Sequence, residues 1–214
     1  YGIGSPCVDP ETGNVYFMPT SGLAIAFDRD GNKLWEHSML EEYWRLTFPN
    51  GRTGGPVVDG EYVIFRGITA NWGTTGPPGD RFYGFDKITG ELAWYSSPDI
   101  RPVDSSNSSP VFSDLDGRRV FVAGTGSGSI ICSNARTGEP VWRATISQGG
   151  VNASILYYED DKIIAIHGKE NIDTTSKGRL VCYRIPTEYP SGDKPILLGE
   201  KDEVWRNDEH VSFS

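Results

Sequence analysis

Apolar residues along this chain fall in short runs separated by turn residues, and the runs repeat in order. One unit reads Ser5-Pro6-Cys7-Val8, Asn14-Val15-Tyr16-Phe17, Leu23-Ala24-Ile25-Ala26-Phe27, then Leu34-Trp35. A second reads Gly55-Pro56-Val57-Val58, Tyr62-Val63-Ile64-Phe65, Phe82-Tyr83-Gly84-Phe85, then Ala93-Trp94. A third reads Ser109-Pro110-Val111-Phe112, Val120-Phe121-Val122-Ala123, Ser129-Ile130-Ile131-Cys132, then Val141-Trp142. The fourth reads Ala153-Ser154-Ile155-Leu156, Ile163-Ile164-Ala165-Ile166, Arg179-Leu180-Val181-Cys182-Tyr183, then Val204-Trp205. β-branched and aromatic residues in short runs bounded by Gly, Asp and Asn predict strands. Only residues 39–48 offer a pattern that would suit one short helix. Equivalent positions 6, 56, 110 and 154 are spaced by 50, 54 and 44 residues. Four strands per repeat at this period predict a β-propeller, in which neighbouring blades cover the faces that one sheet leaves bare.

The turns follow the same plan. Asp28-Arg29-Asp30-Gly31, Asp86-Lys87-Ile88-Thr89-Gly90 and Asn134-Ala135-Arg136-Thr137-Gly138 stand between third and fourth strands. An Asp or Asn oxygen accepts from turn N–H groups, and Gly supplies the positive φ. Asp28, Asp86, Asn134, Gly31, Gly90 and Gly138 are therefore assigned structural roles. Carboxylates such as Asp114 and Asp116 sit in first-to-second-strand hairpins, so the turn reading outweighs calcium binding or acid–base work. A tryptophan follows each of these turns at a nearly constant distance: 28 to 35, 86 to 94 and 134 to 142, or 7, 8 and 8 residues. Trp35, Trp94, Trp142 and Trp205 are expected to be docking anchors wedged between blades.

Composition narrows the function. The chain of 214 residues carries 20 Lys and Arg against 29 Asp and Glu, a net charge of 20 − 29 = −9. Without a basic cluster, nucleic-acid binding is not expected. No apolar run is long enough for a membrane helix. The three cysteines Cys7, Cys132 and Cys182 lie far apart in apolar runs and read as small buried hydrophobes, not as zinc ligands. The sequence opens at Tyr1 without a leader, so any signal peptide is expected to have been removed or to lie outside it. Asn107-Ser108-Ser109 and Asn152-Ala153-Ser154 fit the glycosylation pattern, but each starts a repeat, where Ser reads as structural.

Phe85-Asp86-Lys87-Ile88-Thr89-Gly90-Glu91-Leu92-Ala93-Trp94 resembles the tryptophan-docking repeat of quinoprotein-type propellers, A-x-D-x-x-T-G-x-x-x-W. Residues 134–142 match it with Asn in the Asp place. Residues 26–35 match it one residue short and without Thr. The fourth unit departs, since Tyr183-Arg184-Ile185-Pro186 has neither Asp nor Thr-Gly. The resemblance implies an eight-bladed ring in the periplasm, outside the cell or at its surface. Some members are dehydrogenases holding pyrroloquinoline quinone and calcium, often beside two adjacent cysteines. Others hold no cofactor and act as docking scaffolds, among them the outer-membrane assembly lipoprotein. No Cys-Cys pair occurs here.

The expected fold is therefore all-β: a propeller segment with blades at about 4–38, 54–97, 108–146 and 152–206 and the start of another at 210–214. Four blades read as half of an eight-bladed ring. Strand alternation puts the tight turns on one face of the disc. The long segments 39–53, 66–81, 95–107 and 167–177 fall on the other, where binding is expected. Its candidate ligand-binding residues are Arg66, Trp72, Asn107, Asn152 and His167. The favoured function is a scaffold for a protein or surface ligand, with no catalytic residue, cofactor or metal. The alternatives are part of a quinone- and calcium-dependent alcohol or sugar dehydrogenase, and a carbohydrate-binding, hydrolase or lyase propeller module. The insertion 186–202 is expected to be an edge excursion or a partner contact.

Overall fold

The computed structural model describes residues 4–43, 53–69, 79–99, 102–192 and 194–209. They form four antiparallel sheets, each a meander of four strands, with a single short 3₁₀ turn among the described residues. Sheet one holds β1 (Cys7–Val8), β2 (Val15–Phe17), β3 (Leu23–Phe27) and β4 (Lys33–Ser38). Sheet two holds β5 (Val57–Asp59), β6 (Tyr62–Thr69), β7 (Gly79–Asp86) and β8 (Leu92–Ser96). Sheet three holds β9 (Val111–Leu115), β10 (Arg118–Gly124), β11 (Ser129–Asn134) and β12 (Pro140–Thr145). Sheet four holds β13 (Leu156–Tyr158), β14 (Lys162–Glu170), β15 (Lys177–Arg184) and β17 (Glu203–Asn207). This is a partial β-propeller of four blades. The first strand of blade four starts later than the repeat suggested, at Leu156 instead of Ala153.

One row recurs in every blade. Cys7–Tyr16–Ala26–Trp35, Val57–Ile64–Gly84–Trp94, Val111–Val122–Cys132–Trp142 and Leu156–Ile164–Cys182–Trp205 are the paired positions across the four strands. Paired residues share a face, so each row aims its indole at the following blade. A register shift follows the indole's partner each time, after Ala26, Gly84, Cys132 and Cys182. The partner is small because the indole lies against it: a Cβ on Gly84 would fall 2.3 Å from the Trp94 ring. Cys132 and Cys182 thus serve as small buried side chains, and all three cysteines are free thiols. Burial pushes the Cys132 thiol far up and the Cys7 thiol to about 12, so neither is a ready nucleophile.

The opposite face of each blade packs on the blade before it. Three cores result. Blades one and two bury Tyr16, Ala26, Trp35, Phe65 and Phe85 together. Blades two and three bury Ile64, Phe82, Trp94, Phe121 and Ile131. Blades three and four bury Val122, Cys132, Trp142, Ile163 and Tyr183. The docking is specific. The Trp35 ring lies over Gly90 of the next blade, 2.7 Å from where a Cβ would be, and its Nε1 donates to the Lys87 carbonyl at 3.3 Å. Trp94 lies over Gly138 in the same way. Blade four has no such glycine. There Ile185, Pro186 and Tyr157 close over Trp142 and leave a cavity of about 20 Å³, room for roughly one water.

The insertion 186–202 resolves as an edge excursion. β16 (Ile196–Leu198) leaves blade four and pairs in parallel with β12, adding a fifth strand to the outer edge of blade three. Arg118 lies 4.2 Å from the centre of the Tyr189 ring, and Asn134 Nδ2 donates to its hydroxyl at 3.2 Å. The segment straps the two blades together where the regular dock is missing.

Candidate functional site on the long-loop face

The β6–β7 and β14–β15 hairpins and the blade-to-blade connections converge on one face of the disc. Arg66, near the end of β6, is buried and fully engaged. Its Nε donates to Asp80 Oδ1 at 2.8 Å and its Nη2 to Asp80 Oδ2 at 2.6 Å. Its Nη1 donates to Ser106 Oγ at 3.2 Å and to the Ser108 carbonyl at 3.1 Å. The Gly126 N–H donates to Asp80 as well. Arg66 therefore ties blade two to the innermost segment of blade three. Both partners are out of water, so neither charge is available to a ligand.

Asn107 and Asn152, expected beside the axis, are brought together: the Asn107 N–H donates to Asn152 Oδ1 at 3.2 Å. The Asn107 side-chain oxygen is buried without a partner among the described residues. His167 is buried on β14 opposite Arg179. Neither of its ring nitrogens has a hydrogen-bond partner there. Desolvation, and then the charge of Arg179, lower its pKa to about 4, so the imidazole is neutral near neutral pH. Trp72, also expected on this face, lies outside the described residues, as do Trp44, Arg45, Arg52, Asn71 and Arg101.

Two groups on this face carry weight that the sequence alone did not reveal. Arg179 is clamped by two carboxylates, with Nε to Asp208 Oδ1 at 2.6 Å and Nη1 to Asp173 Oδ2 at 3.1 Å. Arg179 beside Asp173 holds that carboxyl down at about 2. Asp99 accepts from the hydroxyls of Thr125, Ser127 and Ser129 and from Arg143 Nη1 at 3.1 Å. Only the alternation of hydroxyl residues at 125, 127 and 129 signals such a hub, and nothing local names its distant acceptor. Lys169 reaches Asp104 at 2.8 Å, joining the blade-four hairpin to the loop entering blade three.

The face is thus a set of internally neutralised ion pairs. Two of its arginines, Arg66 and Arg179, are committed to protein carboxylates. No group of three or more His, Cys, Asp or Glu suited to a metal ion exists among the described residues. Among the residues this face exposes, three are apolar and stand on three separate long segments, Leu40, Val103 and Ile172, beside polar ones such as Glu41, Thr174 and Lys177.

Of the docking residues, the placement differs by blade. Trp35, Trp94 and Trp142 are 9%, 7% and 1% exposed, whereas Trp205 is 40% exposed. Trp205 occupies the docking position in its strand, and no blade among the described residues covers it. Asp28, Asp86 and Asn134 each accept from backbone N–H groups of their own turns, at Asp30 and Asn32, at Ile88 and Thr89, and at Arg136 and Thr137. Gly31, Gly90 and Gly138 have positive φ.

Residues 79–181 match the family model described as outer membrane protein assembly factor BamB. The structure of BamB from Moraxella catarrhalis superposes with a TM-score of 0.56 at 18% identity, covering 98% of this chain and 65% of that one. This chain therefore spans just under two thirds of that protein's length. The computationally designed Ika4 protein superposes with a TM-score of 0.53 at 13% identity, covering 86% of this chain and 92% of its own. A quinohemoprotein alcohol dehydrogenase from Pseudomonas putida HK5 reaches a TM-score of 0.47 at 18% identity, over 80% of this chain and 30% of its own, too weak a likeness to argue from. No curated protein sequence matches the chain. The repeated docking rows, the D/N-x-x-T-G turns at 86–90 and 134–138 and the family match agree: residues 79–181 are similar to the BamB-type PQQ-repeat family, and the chain as a whole has the β-propeller fold.

Proposed function

We propose that this propeller is a non-catalytic scaffold that docks a protein partner on its long-loop face, in the periplasm or at the cell surface. The observation that carries the reading is the pairing of two features on one face. Its buried charges are paired internally, as in Arg66–Asp80 and Arg179–Asp208, and the apolar side chains Leu40, Val103 and Ile172 stand exposed. Such a surface suits protein association, which is driven by apolar burial around a rigid frame. It does not suit acid–base chemistry, which needs a titratable group within reach of substrate. The match to an outer membrane protein assembly factor supports a protein as the partner.

Photo-crosslinking residues placed singly at Val103 and Ile172, and on the tight-turn face at Ile88, test this. Capture of one partner from the first two positions and not from Ile88 is expected. Equal capture from both faces overturns the reading. So does quinone and calcium uptake with reduction of an artificial electron acceptor, which would favour the dehydrogenase alternative.

A further inference from the structure

Blade two reaches further toward the long-loop face than blade one does. From the tryptophan row, β6 runs on from Ile64 to Thr69, whereas β2 runs only from Tyr16 to Phe17. Alternation along β7 puts Arg81, Tyr83 and Phe85 on one side of the sheet. Tyr83 and Phe85 are buried in the core shared with blade one, and Tyr95 on β8 pairs with Tyr83. Arg81 and Tyr95 therefore stand on the overhang, at the mouth of the seam between the two blades. Tyr95 is 61% exposed and Arg81 half-buried, its guanidinium carbon 5.7 Å from the centre of the Tyr95 ring.

A turn of blade one completes the mouth. The Glu42 N–H donates to the Ser38 carbonyl at 2.9 Å, and the Glu42 carboxylate accepts from the Ser38 N–H at 2.8 Å. His37 Nδ1 lies 2.7 Å from the same carboxylate, and its Nε2 lies 2.7 Å from the Gly90 carbonyl of blade two. The His37 ring also stacks on Phe85. The turn is thereby pinned to blade two. It lays Tyr43 against Tyr83 and Phe85, with ring centres 5.4 and 5.8 Å apart. Leu40, three residues earlier, is exposed. The result is a fixed aromatic mouth with one cation in it.

That cation is unmatched. Arg66, Arg143, Lys169, Lys177, Arg179 and Arg206, the other described cations of this face, each meet a carboxylate. Arg81 is in no ion pair and donates no hydrogen bond among the described residues, and its Nε is buried without an acceptor. A buried N–H left unpaired is unfavourable. Carboxylates of its own surroundings are already engaged: Asp80, its chain neighbour, holds Arg66, and Glu42 holds His37. In a chain of net charge −9, an arginine kept apart from every described carboxylate calls for an acceptor from outside.

We propose that Arg81 and the rings of Tyr43 and Tyr95 form the centre of the docking surface and take an acidic segment of a protein partner. An Asp or Glu carboxylate of that segment sits on the Arg81 guanidinium, and a flanking apolar side chain lies against the tyrosines and Leu40. This rests on the scaffold reading above and adds the chemistry of what docks. Arginine and tyrosine carry most of the energy of an interface when their neighbours hold them rigid. The guanidinium fork suits a carboxylate, and the rings suit apolar contact.

Titrating the isotope-labelled chain with acetyl-Leu-Glu-Phe-amide and with acetyl-Leu-Gln-Phe-amide, followed by amide chemical shifts, tests the proposal. The Glu peptide is expected to move the amides of Arg81, Tyr83 and Tyr95 and to bind about fivefold more tightly than the Gln peptide. That margin is expected to vanish in Arg81→Gln and in about 1 M salt. Arg81→Gln gives up only the contact with Tyr95, so circular dichroism stays unchanged. In the crosslinking experiment above, Arg81→Glu is expected to cut capture from Val103 and Ile172 at least about fivefold. No binding of either peptide, equal binding of both, shifts that map elsewhere, or binding of maltotriose in place of the peptides overturns the proposal. So does full capture of the partner by Arg81→Glu, an outcome that leaves the scaffold reading standing; that reading fails only when the crosslinks themselves do.

Discussion

At the residue scale the fold rests on a contact between an indole and a bare backbone. Gly90 and Gly31 have almost the same conformation, φ +76° and +85°, but Trp35 covers only the first. Alanine at either position meets the left-handed strain, about 1–2 kcal/mol. At Gly90 it must also displace the Trp35 ring, adding about 1–3 kcal/mol of overpacking. Gly90→Ala is therefore expected to destabilise clearly more than Gly31→Ala in urea unfolding, and equal losses would refute the docking account. These positions were legible in the sequence, because the Asp-to-Trp interval repeats. Which of these glycines an indole covers was not, since the turn's composition is the same whether or not an indole lies above it.

At the scale of elements, hairpins from one blade are pinned to the next by buried ion pairs. Asp80 on β7 neutralises Arg66 on β6, and that arginine reaches Ser106 and Ser108 of the following blade. Asp80→Ala leaves a buried guanidinium without its counter-charge and is expected to cost about 3–5 kcal/mol, read as a lowered urea midpoint. Arg66→Met with Asp80→Leu, which removes both charges, should recover much of that loss. If the single and double variants lose the same stability, the pair is not what pins the hairpin. The sequence marked Arg66 as a residue at the end of an inner strand, consistent with either a ligand contact or an internal role. Its partner is fourteen positions away across a hairpin whose tip carries no regular pattern, so the pairing became visible only with the strands in register. The strap at 196–198 is a similar case: its three residues are too few to announce a strand, and they extend because β12 offers a free edge.

For the molecule as a whole, acid stability follows from the buried imidazole of His167. In the fold it titrates at about 4. Once unfolded it regains the ordinary value of 6.5. The unfolded chain therefore binds more protons between those values. Stability is full above pH 6.5 and is lost as pH falls toward 4, by up to about 3 kcal/mol. Asp173, held at about 2, adds a loss only at still lower pH, below its ordinary 3.8. Urea unfolding across this range should show a slope that His167→Gln flattens, and an unchanged slope would mean that His167 does not stay neutral in the fold.

What the sequence determined by itself is the blade: short β-branched runs, turn residues at fixed offsets and a tryptophan closing each unit. These are local facts, set by strand propensity and turn chemistry, and they repeat, so each copy corroborates the others. What only the tertiary structure decided is which faces are covered. Burial is a property of neighbours, not of composition: four tryptophans with the same local setting end at 9%, 7%, 1% and 40% exposure because a described blade stands in front of the first three and not of the last. The same holds for Arg66 and His167, whose chemistry is fixed by groups that the chain brings back from distant strands.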